Sequence, residues 1–330
     1  MTARLAVLGA GSWGTALAVA LSSRFASVRL WARQPQQAAE MAELRENRRY
    51  LGGVLFPPQL EISWDLAFTV RDAAIVLNVV PSRYMRALCG LVEPHLPEDA
   101  QIVSATKGLE QTTLCRMSEV IAETLPGRAL AVLSGPTFAK EIAAGEPAAV
   151  AIASRDLAFA EEIQRAFATP TLRLYTSKDV VGVELGAALK NVIAIGAGIC
   201  RGLGLGSNSV AALVTRGLAE ITRLAVTMGG EPRTLSGLAG LGDLVLTATG
   251  DLSRNRFVGV QLGQGHSLEQ IMAGMNMIAE GVGTCRAAHE LGIRHKVDLP
   301  IVNKMYEVLY ESKEPRMAIR ELMERPLTTE

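Results

Sequence analysis

Cysteine is scarce in this chain. Its 330 residues hold four, at Cys89, Cys115, Cys200 and Cys285, far apart and without a CxxC pair. That excludes a disulfide framework, and the thiols read as buried or incidental in a reducing cytosol. The four histidines (His95, His266, His289, His295) form no cluster at metal-ligand spacing, so no metal site is expected and none of them receives a role. An excess of charge is also lacking: lysine plus arginine and aspartate plus glutamate number 33 each. Such a balance excludes the basic field that nucleic acid or an acidic membrane would require. An anionic ligand must therefore be captured locally. Long uncharged apolar runs are missing as well. Met1 to Ser22 begins like a secretory signal peptide, with Arg4 before an apolar run. Gly9, Gly11 and Gly14 interrupt that run at a specific spacing, however, and no A-x-A cleavage site follows. No other stretch reads as a membrane span, and a soluble protein without stable membrane insertion is expected.

What is present is core material. Hydrophobic residues make up 49% and charged residues 20%, a composition far from disorder, and the length corresponds to about two domains. Arg4–Leu8 is a short β-like run that enters Gly9-Ala10-Gly11-Ser12-Trp13-Gly14, and Thr15 to Phe25 has helical character. GxGxxG after a strand and before a helix is the dinucleotide fingerprint: a tight turn, a close backbone approach to pyrophosphate, and close packing of helix on strand. The next strand, Val28 to Ala32, ends at Arg33, where proteins restricted to NAD place an acid. An arginine there can receive a 2′-phosphate, so NADP is expected to be accepted beside NAD.

Apolar strands then alternate with helices: Ala74–Val80, Gln101–Thr106, Ala129–Leu133, Ala148–Ala153 and Leu172–Tyr175. This predicts an α/β fold with a Rossmann-like, doubly wound and mostly parallel sheet, with ligands at the carboxyl ends of its strands. Asn78, Lys107 and the loop Gly135 to Ala139 fall at such ends. Beyond Lys178 the strand signal stops, and helices are expected over 183–200, 210–228, 254–262, 268–273, 281–291, 301–311 and 316–323. The boundary divides an NAD(P)-binding domain, residues 1–179, from an all-helical substrate and catalytic domain, residues 180–330.

The first long helix of that second part, VELGAALKNVIAIGAGIC from Val183 to Cys200, is apolar almost all round. It carries Lys190, with Gly186 and Ala187 one turn back and Ile193 and Ala194 one turn forward. Either the lysine stem snorkels to water or a structural carboxylate, or the small neighbours leave room for a ligand. In the second case burial would bring the ammonium toward the range of a general acid/base. Two further polar groups stand out. Asp243, in GLGDL, is either a helix cap or a functional acid. Ser253-Arg254-Asn255 opens a helix and is either a cap with exposed arginines or a phosphate cradle.

GAGSWGTALA, SATKGLE, LSGPTFAKEIA, ALKNVIAIGAG, GLGDLVLT and SRN–RFVG, in this order and spacing, resemble the NAD(P)-dependent glycerol-3-phosphate dehydrogenases, bacterial type. The similarity runs from the first strand to about residue 290. It implies reversible hydride transfer between NAD(P)H and dihydroxyacetone phosphate, giving sn-glycerol 3-phosphate for phospholipid synthesis. A cytoplasmic homodimer without metal is implied too. Carried over by residue, Ser12, Trp13, Arg33, Lys107, Ala139, Arg254, Ile278 and Glu280 would contact cofactor, with Gly9, Gly11 and Gly14 shaping the loop. Lys107, Gly135, Thr137, Lys190, Asp243, Ser253, Arg254 and Asn255 would contact substrate, and Lys190 would transfer the proton. Residues 40–58, polar and arginine-rich, receive no role.

The chemistry agrees with the resemblance. Reducing a ketone needs hydride at carbon and a proton at oxygen. Lys190 and Lys107 could polarise the carbonyl and protonate it, with Asp243 orienting or tuning them. Two other readings compete. Ketopantoate or 3-hydroxyacid dehydrogenases share the two-domain plan but need a carboxylate clamp. A non-catalytic NAD(P)-binding sensor would not need Lys107, Lys190 and Asp243 together.

Overall fold

The computed structural model describes residues 3–275, 279–327 and 329. The chain divides into two compact units, Met1–Lys107 with Cys115–Val183, and Gly108–Leu114 with Glu184–Glu330. The first unit is built on eight strands: β1 (Arg4–Leu8), β2 (Ser27–Trp31), β3 (Leu60–Ser63), β4 (Ile75–Asn78), β5 (Gln101–Ser104), β6 (Leu130–Ser134), β7 (Ala148–Ala153) and β8 (Leu172–Ser177). Their order is β8-β7-β6-β5-β4-β1-β2-β3. All neighbours run parallel except β6 and β7.

The strands are apolar on both faces because helices cover both. Leu5, Val7, Leu77, Val103 and Leu133 enter one core, while Ala6, Leu8, Val76 and Ile102 enter the other. That is the period-two alternation of a strand, held in register across the sheet. β1 is flanked by β2 on one side and β4 on the other, so the strand order reverses there. In an open α/β sheet the crevice beyond that reversal is where ligands bind. Outside the main sheet, Glu46–Asn47 and Gly52–Leu55 form a small antiparallel hairpin. Neither it nor β3 was expected from the sequence pattern.

In the second unit no strand occurs among the described residues. Its central helix runs Val180–Gly202, longer at both ends than its sequence pattern indicated. Asp179 starts it by accepting a 2.7 Å hydrogen bond from the Gly182 amide. By length and composition this helix could cross a membrane, contrary to the sequence expectation, yet 89% of its most apolar stretch is buried inside the fold. Around it lie Ser207–Thr227, Asp243–Thr249, Arg254–Gly263, Glu280–His295, Pro300–Tyr310 and Pro315–Met323. Arg254–Gly263 approaches it closely at Gly259, where a Cβ would overlap the Ile195 carbonyl. Glu220, buried on Ser207–Thr227, accepts from the Ile301 and Val302 amides at 2.7 and 3.2 Å and so caps Pro300–Tyr310. Burial pushes its carboxyl up to about 7, opposed by those two amides.

Candidate active site

In the first unit, β1 delivers the chain into the glycine loop and a helix starts at Ser12. Gly9 has φ +120°, a conformation that side chains resist, and a Cβ there would stand 3.0 Å from the Val79 carbonyl after β4. A Cβ on Gly14 would overlap the Gly9 carbonyl, so the third glycine lets the helix close on the turn. Trp13 is half-buried against the core, and its indole nitrogen is enclosed without a hydrogen-bond partner among the described residues. Arg33 is exposed beyond β2, its guanidinium 5.7 Å from the centre of the Tyr84 ring. Lys107 follows β5 and donates to the Gly135 carbonyl at 3.1 Å; the Thr137 hydroxyl donates to the same oxygen at 3.1 Å. Three residues expected to meet substrate thus converge on one carbonyl. Ala139 is the first residue of the short helix Ala139–Ala144.

The second unit buries Lys190, which is 5% exposed. Its ammonium donates to the Asp243 carboxylate and, at 2.7 Å, to the Thr247 hydroxyl. The Thr247 hydroxyl donates in turn to the Asp243 backbone carbonyl at 2.7 Å, which commits its proton and turns its lone pairs to Lys190. Lysine is seldom this deep without a counter-charge, and here the counter-charge lies 53 positions along the chain. Gly186, one turn back from Lys190, makes a close approach to backbone. A Cβ on Gly186 would come within 2.7 Å of the Ala239 carbonyl, so Gly186 admits the turn that leads into Asp243.

Ser253 caps Arg254–Gly263, its hydroxyl oxygen accepting from the Arg256 amide at 3.2 Å. Asn255 is buried and tied into the unit: it donates to Asn191 Oδ1 at 2.9 Å and accepts from the Gly281 amide at 3.0 Å. Arg254 keeps an exposed face while the dense atoms around its head lower its pKa and the Glu280 carboxylate opposes that shift. A guanidinium remains a cation throughout. Ile278 lies outside the described residues. No group of three metal-binding side chains occurs among those described.

Three positions that sequence reasoning passed over belong to these clusters. Thr247 sits one helical turn after Asp243, a spacing that puts both on one face and was legible once that segment was taken as a helix. Asn191 adjoins Lys190 in sequence and holds Asn255. Asn47, in the unassigned arginine-rich stretch, reaches the glycine loop.

One unit holds a GxGxxG loop between strand and helix; the other holds a buried ammonium fixed by a carboxylate and a hydroxyl, and an exposed arginine. The family models for the N-terminus and the C-terminus of NAD-dependent glycerol-3-phosphate dehydrogenase match residues 4–160 and 179–320. A glycerol-3-phosphate dehydrogenase [NAD(P)+] from Koribacter versatilis is 53% identical, over 99% of this chain and 98% of that one. Its counterpart from a Geobacter species (strain M21) is 51% identical, over 100% and 99%. The crystal structure of glycerol-3-phosphate dehydrogenase from Coxiella burnetii superposes with a TM-score of 0.95 at 38% identity, covering 98% of this chain and 99% of that one. This chain belongs to the NAD-dependent glycerol-3-phosphate dehydrogenase family.

Proposed function

We propose that the protein catalyses reversible NAD(P)H-dependent reduction of dihydroxyacetone phosphate to sn-glycerol 3-phosphate. The observation that carries this function is Lys190, buried as an ion pair with Asp243 in a family whose relatives bear that activity. The residues of the glycine loop fit a dinucleotide. A Cβ on Gly11 would meet nothing within 4 Å among the described residues, so backbone is open to a ligand there, and the enclosed Trp13 indole nitrogen has no acceptor among them. Gly9, Gly11, Ser12, Trp13, Gly14, Arg33, Lys107 and Ala139 would hold the cofactor. When bound, it supplies or takes the hydride.

The chain's own residues handle charge and proton. In the reducing direction the Lys190 ammonium donates to the ketone oxygen, polarises it, and passes a proton to it as negative charge develops. In reverse, the neutral amine takes the hydroxyl proton. Asp243 and Thr247 hold the amine in place, so little reorganisation is left to the moment of reaction. In the first unit Lys107 is held with Thr137 on the Gly135 carbonyl. Arg254 takes the phosphate, joined by the Ser253 hydroxyl proton and the second amide hydrogen of Asn255. A cytoplasmic homodimer supplying phospholipid synthesis completes the proposal, and exposed Val245, Leu252 and Phe257 offer apolar surface for self-association.

Loss of nicotinamide absorbance on adding dihydroxyacetone phosphate, ketopantoate or nothing to enzyme and NADPH tests the assignment. Oxidation only with the triose phosphate is expected. Turnover of ketopantoate alone moves the enzyme to the reductases of the same plan. Binding of NADPH without turnover of either leaves a cofactor-binding sensor.

A further inference from the structure

We propose that Asn47 is a positioning residue for the dinucleotide loop, setting cofactor affinity from outside the GxGxxG motif. The inference rests on that loop holding the cofactor. Asn47 ends the first strand of the small hairpin, next to its turn, and is fully buried. Its amide nitrogen donates to the Ala10 carbonyl at 3.0 Å and to the Thr15 hydroxyl at 2.8 Å. Its amide oxygen accepts from the Tyr50 amide at 3.3 Å. One planar group therefore grips the loop at both ends, before Gly11 and after Gly14, with its two donors, while its acceptor is held by Tyr50. A second contact lies between them, where the Ser12 hydroxyl donates to the Tyr50 carbonyl at 2.7 Å.

The support for this grip is stiff. Arg45 donates to the Leu60 and Pro57 carbonyls at 2.9 and 2.6 Å, Phe56 N–H donates to the Arg45 carbonyl at 2.8 Å, and Glu46 accepts from Gly53 N–H at 2.7 Å. These bonds anchor the hairpin to the segment entering β3. A loop that binds pyrophosphate through backbone amides has no side chains with which to hold its own shape, and a displacement of half an ångström already weakens such contacts. The polar stretch at 45–55 thereby gains a purpose: it fixes where those amides point.

The test is direct binding of NADPH, followed by nicotinamide fluorescence, with steady-state kinetics and circular dichroism on the same samples. Asn47→Ala removes two donors to the loop and is expected to raise the Kd and KM for NADPH by ~10-fold or more. At saturating NADPH, kcat and the KM for dihydroxyacetone phosphate should stay near wild type. Asn47→Asp keeps the shape and the bond from Tyr50 but sets a carboxylate against the Ala10 carbonyl, beside the place of a pyrophosphate. It should bind NADPH more weakly than Asn47→Ala, an order that a loss of packing alone would reverse. Thr15→Val deletes one bond from the other partner and carries the test if the Asn47 variants do not fold; Thr15→Ser should restore binding. Folded Asn47→Ala and Thr15→Val proteins with NADPH affinity within twofold of wild type would overturn the inference. Wild-type protein that does not bind NADPH would instead overturn the cofactor assignment on which it rests.

Discussion

Replacing Lys190 with methionine keeps most of the side-chain volume and deletes the ammonium. Asp243 then loses its counter-ion while only 1% of its side chain reaches solvent, and the lysine it loses was 6% exposed. At that depth solvent screens little, so the value for a buried pair applies, not the 0–1 kcal/mol of a surface pair. Breaking a buried pair by removing one partner costs ~3–5 kcal/mol, because the remaining charge stays buried without its opposite charge. For a helical unit of roughly 150 residues that is a fall in Tm of ~6–20 °C. Asp243→Leu should cost a similar amount by leaving the ammonium buried without its opposite charge. The double variant Lys190→Met/Asp243→Leu replaces the pair with apolar side chains and should recover most of the loss, since such exchanges are often neutral or stabilising. Urea and thermal unfolding of all four proteins, followed by circular dichroism, close the cycle. A Lys190→Met protein as stable as wild type, or a double variant whose losses simply add, would refute the claim that the two charges are buried against each other.

Four other expectations follow from the structure. Arg33→Asp should weaken NADPH far more than NADH, as judged by the two KM values; equal loss would remove Arg33 as the discriminator. Arg254→Ala should raise the KM for dihydroxyacetone phosphate strongly while hardly touching the poor activity on dihydroxyacetone, and an unchanged KM for the phosphate would rule out the phosphate cradle. Gly259→Ala sets a methyl against the Ile195 carbonyl and should destabilise by about 3 kcal/mol, seen as a lower urea midpoint. Glu220 holds its proton more tightly when folded, with its carboxyl at about 7 against an ordinary 4.5. Its contribution is complete below the unfolded value and is lost as pH rises through 7, by up to ~3 kcal/mol. Glu220→Gln should flatten the stability-versus-pH curve over that interval, and a curve of unchanged slope would contradict this.

Much of the fold was legible because each signal was local. RLAVL followed by three spaced glycines needs no tertiary knowledge, and the uniformly apolar strands betray a sheet covered on both faces. Leu60–Ser63 was not legible: four residues, half of them polar, just after Pro57 and Pro58, carry too little periodicity to stand out. The antiparallel pairing of β6 with β7 escaped for a different reason, since an apolar run does not record its direction. In the site, Lys190 was conspicuous as a charge in an apolar helix, and Asp243 as an acid between glycines and an apolar run. That the two meet was not readable from residues alone, because helix packing brings them together across 53 positions. Gly186 was ambiguous for a physical reason. A small residue beside a buried lysine marks a close approach, and the sequence cannot say whether ligand or backbone makes it. Ser253 and Asn255 likewise carry structural duties as cap and tie alongside the phosphate role proposed for them.

The central claim is that Lys190 delivers the proton. Single-turnover oxidation of NADPH at saturating dihydroxyacetone phosphate, in wild type and in the Lys190→Met/Asp243→Leu double variant, tests it most directly, because the double variant separates loss of the acid from loss of the fold. The predicted result is a rate lower by ~10²-fold or more in a folded protein that binds NADPH with wild-type affinity. A folded double variant that turns over at a near-normal rate would contradict the account and move the proton to Lys107.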